Sequence, residues 1–521
     1  MSDDTLSHVI IVGGGTAGWL TAGILAADHR AHARDGLRVT LVESATQPSL
    51  GVGEGTWPSL RDTLRRIGLS EAGFIHRTQA SFKQGSRFDG WVDGTPGDSY
   101  LHPFDAPPSQ DDVDMLSLWR AAPHGTSFAD AVSAQARVCA AGLAPKQPQT
   151  PEFAAVTNYA YHLDAPAFAE LLREHCTARL GVKRILADIV AVEHEPDGAI
   201  RALRTGQGDL VSGDLFVDCT GSKSLLVGEF PETEPADASH ILFNDAALAI
   251  QVPDTGPIHS QTNATAMPAG WIWDIGLQSR RGVGHVFSTR HMSEERARED
   301  LAAYVGRTTN GAVPGAEDAR LIRFQSGYRE TPWVRNVLAV GMSQGFVEPL
   351  EASAIVMIEL SAVMLSDLLP PRHSGLATAS RRFNERFGYR WARIVDFLKL
   401  HYILSRRDDP YWADHRDPET WPARLSDLME EWRHVPPSRD DFANAMEIFP
   451  AASYAYVLYG MGHRTAVRTT VRRKDEPERA LRRLGEISAK AQRMLAGLPD
   501  NRELLDHLIA GDLAHTYRKG A

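Results

Sequence analysis

The chain has 521 residues, 43% hydrophobic and 23% charged, the composition of a folded protein too long for one core, so two or three domains are expected. A formal charge of −11, from 55 Lys and Arg against 66 Asp and Glu, argues against a nucleic-acid binder. Cys139, Cys176 and Cys219 form no CxxC pair, no apolar run is long enough to span a membrane, and the start Met1-Ser2-Asp3-Asp4 is acidic where a signal peptide is basic, so a cytoplasmic enzyme without zinc or disulfides is expected.

The β-branched run His8–Val12 predicts a strand, Gly13-Gly14-Gly15-Thr16-Ala17-Gly18 a turn, and residues 19–26 a helix. A second strand over 37–42 ends at Glu43 and completes a βαβ unit. Residues 84–150 are rich in Gly, Pro, Asp and Ser and poor in periodic pattern, and they read as a long functional excursion over the surface. Regular structure resumes at Tyr161, with a helix over 165–180 and strands over 184–193 and 200–205. A buried strand at 214–218 runs into Cys219-Thr220-Gly221, and antiparallel strands fill 241–290. The strand 336–340 leads into Gly341, a helix follows from about Ser353 to Leu369, and Pro370-Pro371 closes it. Beyond this the chain is helical and rich in Arg and Trp, so residues 1–370 are expected to form the cofactor-binding core and 371–521 a mainly helical, substrate-side domain.

Gly13, Gly15 and Gly18 carry G-x-G-x-x-G spacing: the first permits a tight turn, the second lets backbone approach a pyrophosphate, the third lets helix pack on strand. Thr16 and Ala17 open the helix, whose free N–H groups and dipole favour phosphate, and Glu43 stands where a carboxylate accepts from ribose hydroxyls. The motif alone is weak, but the flanking strand, helix and acid set it apart from a glycine turn that merely packs. Two later segments, 215–221 and the strand ending Val340-Gly341-Met342, resemble the second and third flavin-contacting segments of two-domain flavoproteins, which favours FAD over NAD. No second complete G-x-G-x-x-G is present for NAD(P)H, so the flavin is expected to be reduced by a partner.

Further motifs resemble the flavin-dependent tryptophan halogenases over most of the chain up to about residue 460. They are Gly51-Val52-Gly53-Glu54-Gly55-Thr56 with Pro58, Phe82-Lys83, Trp271-Ile272-Trp273-Asp274-Ile275, and Gly345-Phe346-Val347-Glu348-Pro349-Leu350-Glu351. The resemblance implies an α/β, two-domain flavoprotein monooxygenase-like FAD-binding fold, with a mixed substrate-side sheet and a mainly helical C-terminal part. It implies FADH2 from a separate, transient flavin reductase, with O2 and halide forming hypohalous acid that travels internally to Lys83. Glu351 matches the catalytic glutamate, able to orient the halogen donor and accept the ring proton. Ser353 and Ala354 match the two backbone N–H groups that hold halide at a helix start. Trp271 and Trp273 alternate on a strand and so point to one face, where they are expected to form a barrier between flavin and substrate. His102 and Phe104 match aromatic residues that sandwich an indole, and Tyr454 is placed as a third. Glu348 reads as structural.

The sequence also departs from the family pattern. Gly276 stands for proline, Ala352 for serine and Ser353-Ala354 for Thr-Gly, which favours bromide over chloride. The tyrosine pair and glutamate that grip an amino-acid backbone do not occur over 430–460, which instead contains 440–449 as DDFANAMEIF. An indole-type arene is therefore expected in preference to free tryptophan. The rival readings are an aromatic hydroxylase on the same fold, which has no need of Lys83, and a non-catalytic carrier that binds no flavin.

Overall fold

The computed structural model describes residues 4–45, 53–108, 112–253, 256–309, 315, 318–442, 447–466 and 476–520, with side chains as far as 512. Gly51, Val52 and residues 443–446 lie outside the described residues.

The β-branched run His8–Val12 is the centre of a six-stranded sheet. It pairs in parallel with Arg38–Glu43 on one side and Leu215–Asp218 on the other, and Val337–Ala339 pairs in parallel with Leu215–Asp218. Val9, Ile10 and Ile11 are fully buried, as strands covered on both faces require. The helices Thr16–Asp28, Ala165–Ala178 and Ser353–Leu368 pack together beside this sheet. All three strands predicted to touch the cofactor therefore end side by side.

A seven-stranded mixed sheet forms the second layer, in the order 320–323, 246–253, 280–287, 270–276, 262–267, 85–89, 99–103. Its pairs are antiparallel except Gly85–Asp89 with Thr262–Met267. Residues 84–150 thus differ from the expected surface excursion. Two of their strands extend this sheet, and the helices Met115–Ala121, Phe128–Val132 and Gln135–Ala140 build a separate apolar core with Ala451–Gly460 and Pro477–Gly497. Asp114 and Ser127 cap two of these helices by accepting from Ser117 N and Asp130 N. Helices of 5–7 residues complete less than two turns, so they display no apolar period to read.

The 28-residue helix Leu376–Ile403 carries Phe383, Phe387, Arg390, Ile394, Phe397 and His401 at spacings of three and four, all buried. Apolar side chains from both sides of residue 370, from Leu6 to Leu505, belong to one cluster.

Candidate active site

The nucleotide turn meets the demands of its sequence. Gly13 has φ +118°, and a Cβ there would lie 2.2 Å from Cys219 O; a Cβ on Gly18 would lie 1.9 Å from Gly13 O. At Gly15 a Cβ would meet nothing within 4 Å, so the backbone beside Thr16 and Ala17 is open to a phosphate at the helix start. Glu43 accepts from Trp19 Nε1 at 3.1 Å and pairs with Arg184 at 2.5 Å, which leaves a carboxylate lone pair for a hydroxyl. Asp218, unnoticed in the sequence, is fully buried and accepts from Thr220, Leu226, Val227 and Ser343. It ties the turn after one strand to the turn at Gly341, where φ is +72°. These residues fit a dinucleotide such as FAD.

Lys83 sits at the end of Ser81–Lys83, an edge strand of a small sheet ordered 53–55, 160–164, 81–83. Gly55 pairs with His162, and Lys83 with Ala160. Pleating therefore places Gly53, Gly55, His162 and Lys83 on one face, with Glu54, Phe82 and Tyr161 on the other. The far face is locked: Phe82 packs edge-on to Tyr159 at 5.3 Å, Tyr159 and Tyr161 each donate to Glu71 Oε1 at 2.6 Å, and Lys146 pairs with Glu71 at 2.5 Å.

On the near face Lys83 is 1% exposed. A Cβ on Gly55 would lie 3.1 Å from Lys83 Nζ and 3.3 Å from Ala352 Cβ, so amine, glycine and the residue after Glu351 converge. Phe104 lies under Nζ at 5.4 Å. Among the described residues Nζ donates no hydrogen bond. Burial pulls this ammonium down to about 8, against the opposing pull of Glu351.

Glu351 Oε1 accepts from His102 Nδ1 at 3.0 Å and from His401 Nε2 at 3.2 Å. Burial alone raises such a carboxyl, but the charge and hydrogen bonds of His102 and His401 outweigh it and hold Glu351 well below the usual carboxylate range. His102 Nε2 meets Ser453 Oγ at 3.0 Å, and His401 Nδ1 donates to Phe397 O at 2.9 Å. Trp57 Nε1 donates to Glu351 O at 2.7 Å. Ala352 then adopts φ 55°, ψ 43°, a left-handed turn unusual for alanine, and starts Ser353–Leu368 with no side-chain cap. Ser353 is buried and Ala354 exposed at this uncapped start, whose N–H groups suit an anion.

Trp271 is buried, donating from Nε1 to Glu348 at 3.0 Å; Asn244 and Tyr402 donate to the same carboxylate. Trp273 lies 6.4 Å from Trp271, over Gly284, where a Cβ would come within 2.1 Å of its ring. It lines a cavity of about 400 Å³ with Gly53, Gly282 and Arg280. Gly53 and Gly55 share a face and are about 7 Å apart along their strand, so the same ribbon borders the cavity and the amine.

The structure brings Lys83, Glu351, His102 and Phe104 together and places Tyr454 one layer back. Tyr454 is 1% exposed, edge-on to Phe397 at 4.9 Å and against Trp432 and Phe442. Nearer Glu351 stand Trp57, Phe397, Phe449 and His401, none named from the sequence; Phe449 stacks on Phe397 at 3.8 Å and meets Trp57 at 5.0 Å. The half-buried Trp57 follows directly on Thr56 of the glycine motif, the one signal that pointed to it.

A dinucleotide cradle joined to an enclosed, aromatic-walled amine and carboxylate is the arrangement of a flavin-type oxidoreductase. The tryptophan halogenase family pattern matches residues 8–476. The chain is 32% identical to tryptophan 6-halogenase SttH of Streptomyces toxytricini, over 87% of this chain and 89% of that protein. Among solved structures it is similar to a tryptophan halogenase from Shewanella frigidimarina, with 44% identity, 97% and 98% coverage and a TM-score of 0.92. It is also similar to BrvH, a flavin-dependent halogenase from Brevundimonas sp. BAL3, with 33% identity, 97% and 100% coverage and a TM-score of 0.84. The chain belongs to the tryptophan halogenase family and is a flavin-dependent halogenase. No described helix is long and apolar enough to cross a membrane.

Proposed function

We propose that this enzyme uses FAD, delivered reduced by a separate reductase, to halogenate an indole-type arene through hypohalous acid held at Lys83. Bound reduced flavin with oxygen supplies the oxidising power that converts halide to hypohalous acid. The N–H groups of Ser353 and Ala354 hold the halide, and Trp271 and Trp273 keep the arene away from the flavin. Lys83 donates to the oxygen of the acid and aims its halogen at a ring set between His102 and Phe104. Glu351, already a carboxylate, accepts the proton released when the ring regains aromaticity.

The observation that carries this reading is the seclusion of Lys83, 1% exposed and without a hydrogen-bond partner of its own among the described residues, with its amine beside the glycine ribbon that also borders the Trp273 cavity. A lysine serving only solubility has no reason to be there. The wall built by Trp57, Phe397 and Phe449 is aromatic, a surface for a flat ring, and this supports indole-type arenes over free tryptophan. Bromide is expected to serve better than chloride, being easier to oxidise.

The test is incubation with FAD, a flavin reductase, bromide or chloride, and a panel of indoles beside free tryptophan. Brominated indole is the expected main product. Tenfold faster turnover of free tryptophan overturns the substrate assignment, and chloride used as well as bromide overturns the halide preference.

A further inference from the structure

Lys83 Nζ donates no hydrogen bond among the described residues, so only its backbone and its packing hold it in place. That backbone is a three-residue edge strand whose neighbour, Ala160–Asp164, lies on one side only. An edge strand leaves main-chain groups unpaired on its open side, and buried ones must find partners elsewhere.

The open side is covered from the C-terminus. Asn501 is fully buried and donates from Nδ2 to Phe82 O at 3.1 Å and to His259 O at 3.4 Å. The next peptide is fixed as well: Gln84 N donates to Ser260 O at 2.6 Å, and the Gln84 side chain donates to Leu143 O and accepts from Thr157 Oγ1. Asn501 is itself held, its N donating to Gly142 O at 3.1 Å, while Leu143 and Asp500 form an antiparallel bridge. Arg502 anchors the same helix start elsewhere, to Gly256 O and Gln278 O. The family pattern ends at residue 476, so Asn501 lies beyond the matched stretch.

We infer that Asn501 is a positioning residue for halogenation, its side-chain amide standing in for a missing strand partner and fixing the Phe82–Lys83 peptide so that the amine meets the hypohalous acid. The inference rests on Lys83 as the carrier. Its consequence is that the C-terminal helix Asn501–Gly520 belongs to the halogen-transfer scaffold.

Asn501→Asp keeps the shape and exchanges the amide, with its two N–H donors, for a carboxyl that carries at most one donor for the two carbonyl oxygens; Arg502→Ala loosens the same helix start without touching Phe82. For both, with wild type, four quantities are measured: oxygen consumed by reduced flavin, brominated indole formed, KM for the arene, and the pH midpoint of bromination. The expected result for Asn501→Asp is wild-type oxygen consumption and KM, at least tenfold less product per oxygen, and a pH midpoint moved towards that of a free lysine. Arg502→Ala should keep wild-type coupling. Wild-type coupling in Asn501→Asp, an equal loss in Arg502→Ala, or a parallel fall in oxygen consumption overturns the inference. A wild-type enzyme that brominates no arene instead overturns the proposed function.

Discussion

Replacing Lys83 with methionine should stabilise this protein while abolishing its chemistry. The ammonium is 1% exposed, and burial moves it from 10.5 to about 8. The unfolded chain thus holds this proton up to 10.5, whereas the folded chain releases it near 8. Below the folded value both states are charged, and the folded state bears the full cost of burying the charge. Stability then rises with pH between the two values, because the unfolded state binds more protons there. That gap corresponds to about 3 kcal/mol at pH 7, shrinking to about 1 kcal/mol near pH 9.5. Methionine reproduces the four-atom unbranched stem of lysine and omits the charged nitrogen. Urea unfolding of both proteins at the two pH values is the assay. Lys83→Met should be more stable at pH 7 by about 3 kcal/mol, with the difference falling by more than half at the higher pH. A variant no more stable than wild type at pH 7, or a difference that does not fall with pH, refutes the argument that the site keeps a costly charge.

Gly55→Ala puts a methyl 3.1 Å from Lys83 Nζ, and turnover of the arene should fall by about 10- to 100-fold while oxygen consumption by reduced flavin is unchanged, as product per oxygen will show. Gly284→Ala drives a methyl to within 2.1 Å of the Trp273 ring and should displace it; hydroxylated arene should then appear by mass spectrometry, and unchanged halogenation with no hydroxylation removes the barrier role. Gly15→Ala should unfold like wild type yet bind FAD at least about tenfold more weakly in a fluorescence titration, because the added methyl meets only the space kept for phosphate. Gly18→Ala, aimed at Gly13 O, should fail to give folded protein at all.

Local signals made the cofactor half legible. His8–Val12, the glycines and Glu43 are contiguous, and each strand predicted to touch the flavin is a short apolar run ending in a turn. Lys83 and Glu351 were legible only through the resemblance of their motifs, since nothing in a lone Phe-Lys pair announces that it will be buried. His401 and Trp57 escaped notice because they reach Glu351 across 50 and 294 residues. His401 also sits on a helix whose buried stripe reads as ordinary core. Asn501 was hidden for the same reason: its partner at Phe82 is 419 residues away. Residues 84–150 look irregular in sequence because two short strands and three helices of under two turns carry too few residues for a period to show.

The most direct test compares wild type with Lys83→Met under reduced flavin, bromide, oxygen and indole, counting oxygen consumed, brominated indole, and free hypobromous acid caught by an added thioether. The variant should consume oxygen at the wild-type rate, make no brominated indole and release its oxidant to the trap. Brominated indole from the variant at the wild-type yield per oxygen would contradict the assignment of Lys83 as the residue that presents the halogen.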